Sequence, residues 1–198
     1  MSTGRLEAFS DGVIAVAITL LVLDLRVPLP GAGQPALAHG LGQEWPRFVA
    51  YAVSFVTIGI IWINHHATLS RLREADHTIM ILNLFVLLSI GLLPFATSLM
   101  ATYLNEGQGQ HLAAALYAGA FLVMSCAFSL LNWQILLGRP HLLAEPIPEE
   151  QRRRSLRLAV TGWLPYVLAT ALAPVSPYVT LAICGAVAVF YALPISHS

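Results

Sequence analysis

Six apolar runs, each close to the roughly 20 residues a helix needs to cross the hydrocarbon core of a bilayer, decide what this chain can fold into. They cover residues 6–27, 48–69, 77–99, 112–137, 158–175 and 178–195. The remaining residues cannot clothe a water-facing surface. The chain is 57% hydrophobic and 10% charged, whereas soluble domains carry about a quarter charged residues. The expectation is an all-α integral membrane protein, one six-helix transmembrane domain spanning 1–198, with the bilayer itself as its main partner. The first run follows Arg5 and lacks a small-residue cleavage site, so it reads as a retained helix and not a signal peptide.

The linkers carry turn chemistry. "VPLPGAGQPALAHGLGQEWP" is rich in Pro and Gly, "LNEGQGQ" is short and polar, "GRPHLLAEPIPEEQRRRS" combines prolines with charge, and "APVSP" makes a tight turn. Pro94 and Pro165 fall inside spans, where a membrane helix tolerates a kink. Arginine placement predicts orientation. Arg5, Arg71, Arg73, Arg139, Arg152, Arg153, Arg154 and Arg157 share one side, against Arg26 and Arg47 on the other. Both termini are therefore expected in the cytoplasm and the protein in the plasma membrane. "EEQRRRSLR" reads as a positive anchor beside anionic lipid, with a regulatory docking site as the sharper alternative.

Several classes are disfavoured. Formal net charge is zero, which gives no basic balance for nucleic acid. Cys126 and Cys184 lie inside apolar runs and read as small buried thiols, not a disulfide or metal pair. No phosphate-binding glycine loop is present, so nothing implies ATP-driven transport, and no cofactor is implied. Trp45, Trp133 and Trp163 fit either interfacial or core positions.

The first run opens with "RLEAFSDG", charges at the mouth of a membrane helix. With residues turning by about 100° each, Gly12, Val16, Thr19 and Leu23 fall on one stripe, and Asp11 lies roughly 110° away from it. Thr19 can bond its own backbone, which makes the stripe ordinary packing. Alternatively it is a pore wall, a hydroxyl ring between hydrophobic constrictions. A pore would require several copies of this helix around an axis. Asp11 and Arg5 are six residues apart, so they do not pair along one helix and should find partners on others. "WINHH" (Trp62, Asn64, His65, His66) ends the second run and Asn83 opens the third. The alternating chain direction puts both level with Asp11. Such a cluster could clamp helices, relay protons through histidine or bind a metal. Adjacent histidines point about 100° apart, which argues against a shared ion, and geometry favours the clamp.

"RLEAFSDGVIAVAITLLVLDLRVP" carries Arg-x-x-x-Phe-Ser-Asp at the start of a first span, and "WINHHATL" and "LNLFVLLSIGLLPFATSLM" follow it. In these blocks the chain resembles the transmembrane protein 175 family, endolysosomal potassium channels and their bacterial relatives. The resemblance covers about the first hundred residues by motif. It implies a homotetramer of six-span subunits whose first helices line the pore. Potassium and other monovalent cations would pass without a Thr-Val-Gly-Tyr-Gly filter, and none occurs here. It places the constrictions at Val16, Thr19 and Leu23, with valine at a position where the family usually has leucine or isoleucine. Arg5, Phe9, Ser10 and Asp11 would then hold the pore helix through His65 or His66, Trp62 and Asn83. Breaking a buried ion pair in such a clasp would cost about 3–5 kcal/mol. The expected function is passive, potassium-preferring conduction. A proton-coupled secondary transporter using Asp11 and the histidines is the alternative, although no paired broken segments suggest an inverted repeat. An intramembrane enzyme using His65 and His66 lacks a nucleophile motif.

Overall fold

The structure, a computed structural model, describes residues 3–25 and 37–193. Arg26, the predicted end of the first span at residue 27 and that of the last at residue 195 lie outside them. The described residues are helical apart from turns and one isolated backbone bridge. Helix α1 (Thr3–Leu20) continues as a 3-10 turn (Leu21–Asp24), followed by the short α2 (Leu37–Gln43) and α3 (Trp45–Leu69). The third span is two helices, α4 (His77–Gly91) and α5 (Leu93–Tyr103). Helix α6 (Gln110–Trp133) ends in a π turn (Gln134–Gly138), and α7 (Glu149–Thr161), α8 (Leu164–Leu172) and α9 (Pro177–Ala192) complete the bundle.

Five of these segments are long and apolar enough to cross a membrane: Thr3–Asp24, Trp45–Leu69, His77–Tyr103, Gln110–Gly138 and Glu149–Leu172. The sixth expected span is shorter, because α9 has 16 residues, or about 24 Å of rise. The Ser176 hydroxyl accepts from Val179 N–H at its start, and the backbone is extended at Leu193.

Proline explains the two breaks within spans. Its ring clashes with the carbonyl four residues back and it lacks an N–H. The α4–α5 break accordingly falls at Leu92, ahead of Pro94, and the α7–α8 break at Gly162–Trp163, ahead of Pro165. The linker expected before the fifth span is helical from Glu149 onward. Glu149 and Glu150 occupy the first turn, where the helix dipole favours acids. Arg153 pairs with Glu149 at 2.7 Å one turn later. Charge and proline, read as loop, therefore also describe an exposed helix start.

Helix α6 is the centre, packed against α4, α5, α8 and α9. Ala114 and Ala118 on it are fully buried, and small residues let neighbouring backbones approach. Tyr117 and Phe121 fill the core, edge to face at 4.9 Å. The Ser54 hydroxyl satisfies the buried Tyr117 and Thr97 hydroxyls at 3.1 and 2.8 Å. Cys184 is buried as expected, but Cys126 is exposed on the outer face of α6. An apolar run does not say which of its faces points inward.

The loops sort into two ends. At one, Arg73 N–H donates to Leu142 C=O at 2.9 Å, Ala144 N–H to Arg71 C=O at 2.8 Å, and Arg139 pairs with Asp76 at 3.0 Å. At the other, Tyr178 stacks on Trp45 and donates to Asn105 at 3.1 Å.

Candidate permeation helix and its clasp

Helix α1 has an inward and an outward face. Leu6, Ser10, Ile14, Ala17 and Leu21 are buried against α3, α4 and α5. Gly12, Val16, Thr19 and Leu23 sit two residues further along, about 200° around the helix, and all four are exposed. Val16 is 58% and Leu23 75% exposed. The stripe predicted from the wheel thus points straight away from the subunit's own core.

Thr19 uses its proton on its own helix, with its hydroxyl 2.9 Å from both the Ala15 and the Val16 carbonyls. This is the backbone bond foreseen for a packing residue. With the proton engaged there, the exposed hydroxyl has only acceptor capacity left.

Behind this face, three helices are joined by a buried chain of side chains. Asn83 Nδ2–H on α4 donates to Ser10 Oγ at 2.9 Å, and Ser10 donates to the Leu6 carbonyl at 2.9 Å. His65 on α3 lies 2.7 Å from Asn83 through Nε2, which donates to Oδ1. Asn83 and Ser10 have no exposed surface, and His65 is 1% exposed. Its Nδ1 is buried without a partner. Beside the chain, Trp62 Nε1–H donates to Asp11 Oδ1 at 2.8 Å, and the His66 ring lies 6.4 Å from the Trp62 ring.

Of the polar residues expected at this end, Ser10, Asn83 and His65 therefore meet in one chain, and Asp11 and Trp62 in another. Arg5 is exposed and makes no ion pair or hydrogen bond among the described residues. Phe9 is 52% exposed. Neither joins the clasp. Asn64 faces a groove on the far side of α3. Asp11 is bonded to a neutral indole and not to a cation, so the cost assigned above to a broken ion pair does not apply. One tether was missed. At the opposite end of α1, Ser98 Oγ–H donates to Asp24 Oδ1 at 2.8 Å. A further carboxylate at the far end of the first apolar run was the available signal.

Over 190 residues the chain is 43% identical to a potassium channel of Streptomyces collinus, covering 96% of this chain and 91% of that one. The family model described as endosomal/lysosomal potassium channel TMEM175 matches residues 5–94. The chain belongs to the TMEM175 family. It superposes on the crystal structure of a lysosomal potassium-selective channel TMEM175 homolog from Chamaesiphon minutus with a TM-score of 0.84 and 33% identity. That match covers 99% of this chain and 98% of the other. The mouse endosomal/lysosomal proton channel TMEM175 is 42% identical over 103 residues, which is 48% of this chain and 21% of that relative. Both bonded chains of the clasp lie inside the segment that the TMEM175 model matches. With its five membrane-length apolar helices, this is a multi-pass membrane protein of a channel family.

Within this TMEM175 chain, Asp11→Ala is expected to cost about 1 kcal/mol, because it removes one hydrogen bond from an indole that is itself 43% exposed. Thermal unfolding in detergent should move down by a few degrees while ion preference stays unchanged. A stable Asp11→Ala protein with altered selectivity would contradict a purely positioning role.

Proposed function

We propose that four copies of this chain, each with six spans and cytoplasmic termini, assemble around an axis lined by α1 and conduct potassium passively across the plasma membrane. The observation that carries this reading is the outward stripe of α1. Val16, Thr19 and Leu23 are exposed on a helix whose opposite face is locked into the bundle, so the stripe is held pointing away from the subunit's own core and is free to face a neighbour. The names of the Streptomyces and Chamaesiphon relatives support potassium as the ion. The side of the bundle bearing Arg71, Arg73, Arg139 and Arg152 supports a cytoplasmic placement of that end.

Four Val16 and four Leu23 side chains would make two apolar constrictions, and four Thr19 hydroxyls the only side-chain oxygens between them. Ions shed part of their water there. Such a ring favours potassium because potassium gives up water more readily than sodium, yet less strongly than stacked carbonyl rings do. No cofactor and no enzymatic step enters the cycle.

Widening the first constriction by Val16→Ala should raise single-channel conductance severalfold with little change in expression; unchanged conductance would place the narrowing elsewhere. A second reading, proton-coupled transport, rests on His65, whose Nδ1 is buried without a partner. Liposome flux separates the two. Potassium uptake that rises linearly with concentration and ignores an imposed proton gradient supports the channel. Uptake that saturates and follows the proton gradient supports the transporter.

A further inference from the structure

A groove of about 300 Å³ lies on the side of α3 turned away from α1. It runs between α3, α6, α7 and α9, and a second opening at Gly59, Ile63 and Ala192 joins it through Ile60, Asn64 and Tyr191. Its upper part is apolar, lined by Ile60, Ile61, Met124, Phe128 and Val187. Its lower mouth is polar and cationic, with Arg71, Thr68, Asn132 and Ser155.

The charges around this mouth are distributed unevenly. Arg73 faces Glu74 at 3.2 Å, Arg139 faces Asp76 at 3.0 Å, and Arg153 faces Glu149 at 2.7 Å. Arg71, the arginine that lines the groove, has no carboxylate partner among the described residues. Nearby on α7, Arg152 donates from Nη1 to the Leu136 carbonyl at 2.8 Å, while its Nε is buried without a partner. The groove therefore ends in uncompensated positive charge. Its length also matters. From Thr57 to Thr68, both lining residues, α3 rises by about 17 Å, close to one leaflet of a ~30 Å hydrocarbon core.

We propose that this groove holds one anionic phospholipid, its phosphate on Arg71 and one acyl chain laid along Ile60, Met124 and Phe128. A basic pocket between membrane helices that opens sideways to lipid suits this chemistry. The Ser155 hydroxyl adds a donor for a phosphate oxygen, whereas Thr68 already donates to Asn132 Oδ1 at 3.3 Å. Such a lipid would brace α7, which has no buried residue of its own, against α3. The site is independent of which ion the protein conducts.

The test is native mass spectrometry of the purified assembly titrated separately with phosphatidylglycerol and phosphatidylcholine. The wild type should retain phosphatidylglycerol more tightly. Arg71→Gln should weaken that binding about fivefold, as expected for one arginine at a lipid surface, and leave phosphatidylcholine unaffected. Ile60→Trp, which fills the apolar half, should weaken both lipids. Arg154→Gln, outside the groove, should change neither. Equal binding of the two lipids by the wild type would overturn the proposal, as would Arg71→Gln binding phosphatidylglycerol like wild type. Displacement of bound lipid by millimolar inorganic phosphate would also overturn it, by showing a phosphate site without a place for the chain.

Discussion

Replacing Thr19 by valine is expected to bring the potassium-to-sodium permeability ratio close to one while the protein still folds, assembles and conducts. Valine matches threonine in shape, and Thr19 is exposed in the subunit and bonded only to its own helix, so the fold loses nothing it relies on. In the proposed tetramer, however, the Thr19 ring would lose its four oxygens. A difference of ~1 kcal/mol between the two ions at that ring corresponds to about fivefold in permeability ratio. Thr19→Ser, which keeps the oxygen, should retain most of the preference. If Thr19→Val left the ratio unchanged, selection would have to occur at another level of the axis.

The largest loss of stability is expected at Asn83, not at the charged residues that first draw attention. Asn83 accepts from His65 and donates to Ser10, and all three are buried. Asn83→Leu strips His65 of its one hydrogen-bond partner among the described residues, leaving both ring nitrogens unsatisfied inside the bundle. The expected cost is about 1–3 kcal/mol, visible as a lower unfolding temperature and poor recovery of assembled protein. Removing both partners of a buried hydrogen bond can be nearly neutral, so His65→Leu combined with Asn83→Leu should recover part of the loss. A double variant that is less stable than either single one would show that the pair is not coupled in this way.

The contrast between Asn83 and Asp11 marks how far the residues alone could be read. A helical wheel separates the Val16–Thr19–Leu23 stripe from Asp11, and chain direction alone brings "WINHH", Asn83 and the start of α1 to one depth. Helix rotation is another matter. His65 and His66 differ by about 100° around α3, and only packing against α4 and α6 decides that His65 turns inward to Asn83 while His66 stays beside Trp62 on the exposed side. The same ambiguity misassigned Cys126, which shares an apolar run with buried Met124 but points outward. Arg5 and Asp11 looked like charges needing opposite charges. In the folded chain Asp11 is satisfied by an indole and Arg5 extends into the surroundings.

Linkers were the other weak point. Proline and charge before the fifth span suggested a loop, but Glu149 and Arg153 fall four residues apart, a spacing that stabilises helix as readily as it solubilises a loop. The Asp24–Ser98 bond joins residues 74 apart, and no local pattern announces such a partner. Together with the Ser10–Asn83 bond it fastens α1 to the bundle at both ends, which is what a wall facing an ion path requires.

The central claim is that this fastened helix lines a passive, potassium-preferring pore. Current through the purified wild-type protein in planar bilayers, with potassium on one side and sodium on the other, tests it most directly. Ohmic single-channel steps with a reversal potential displaced toward the potassium equilibrium potential are the predicted result. A reversal potential at zero, or the absence of steps together with saturable flux that follows a proton gradient, would contradict it.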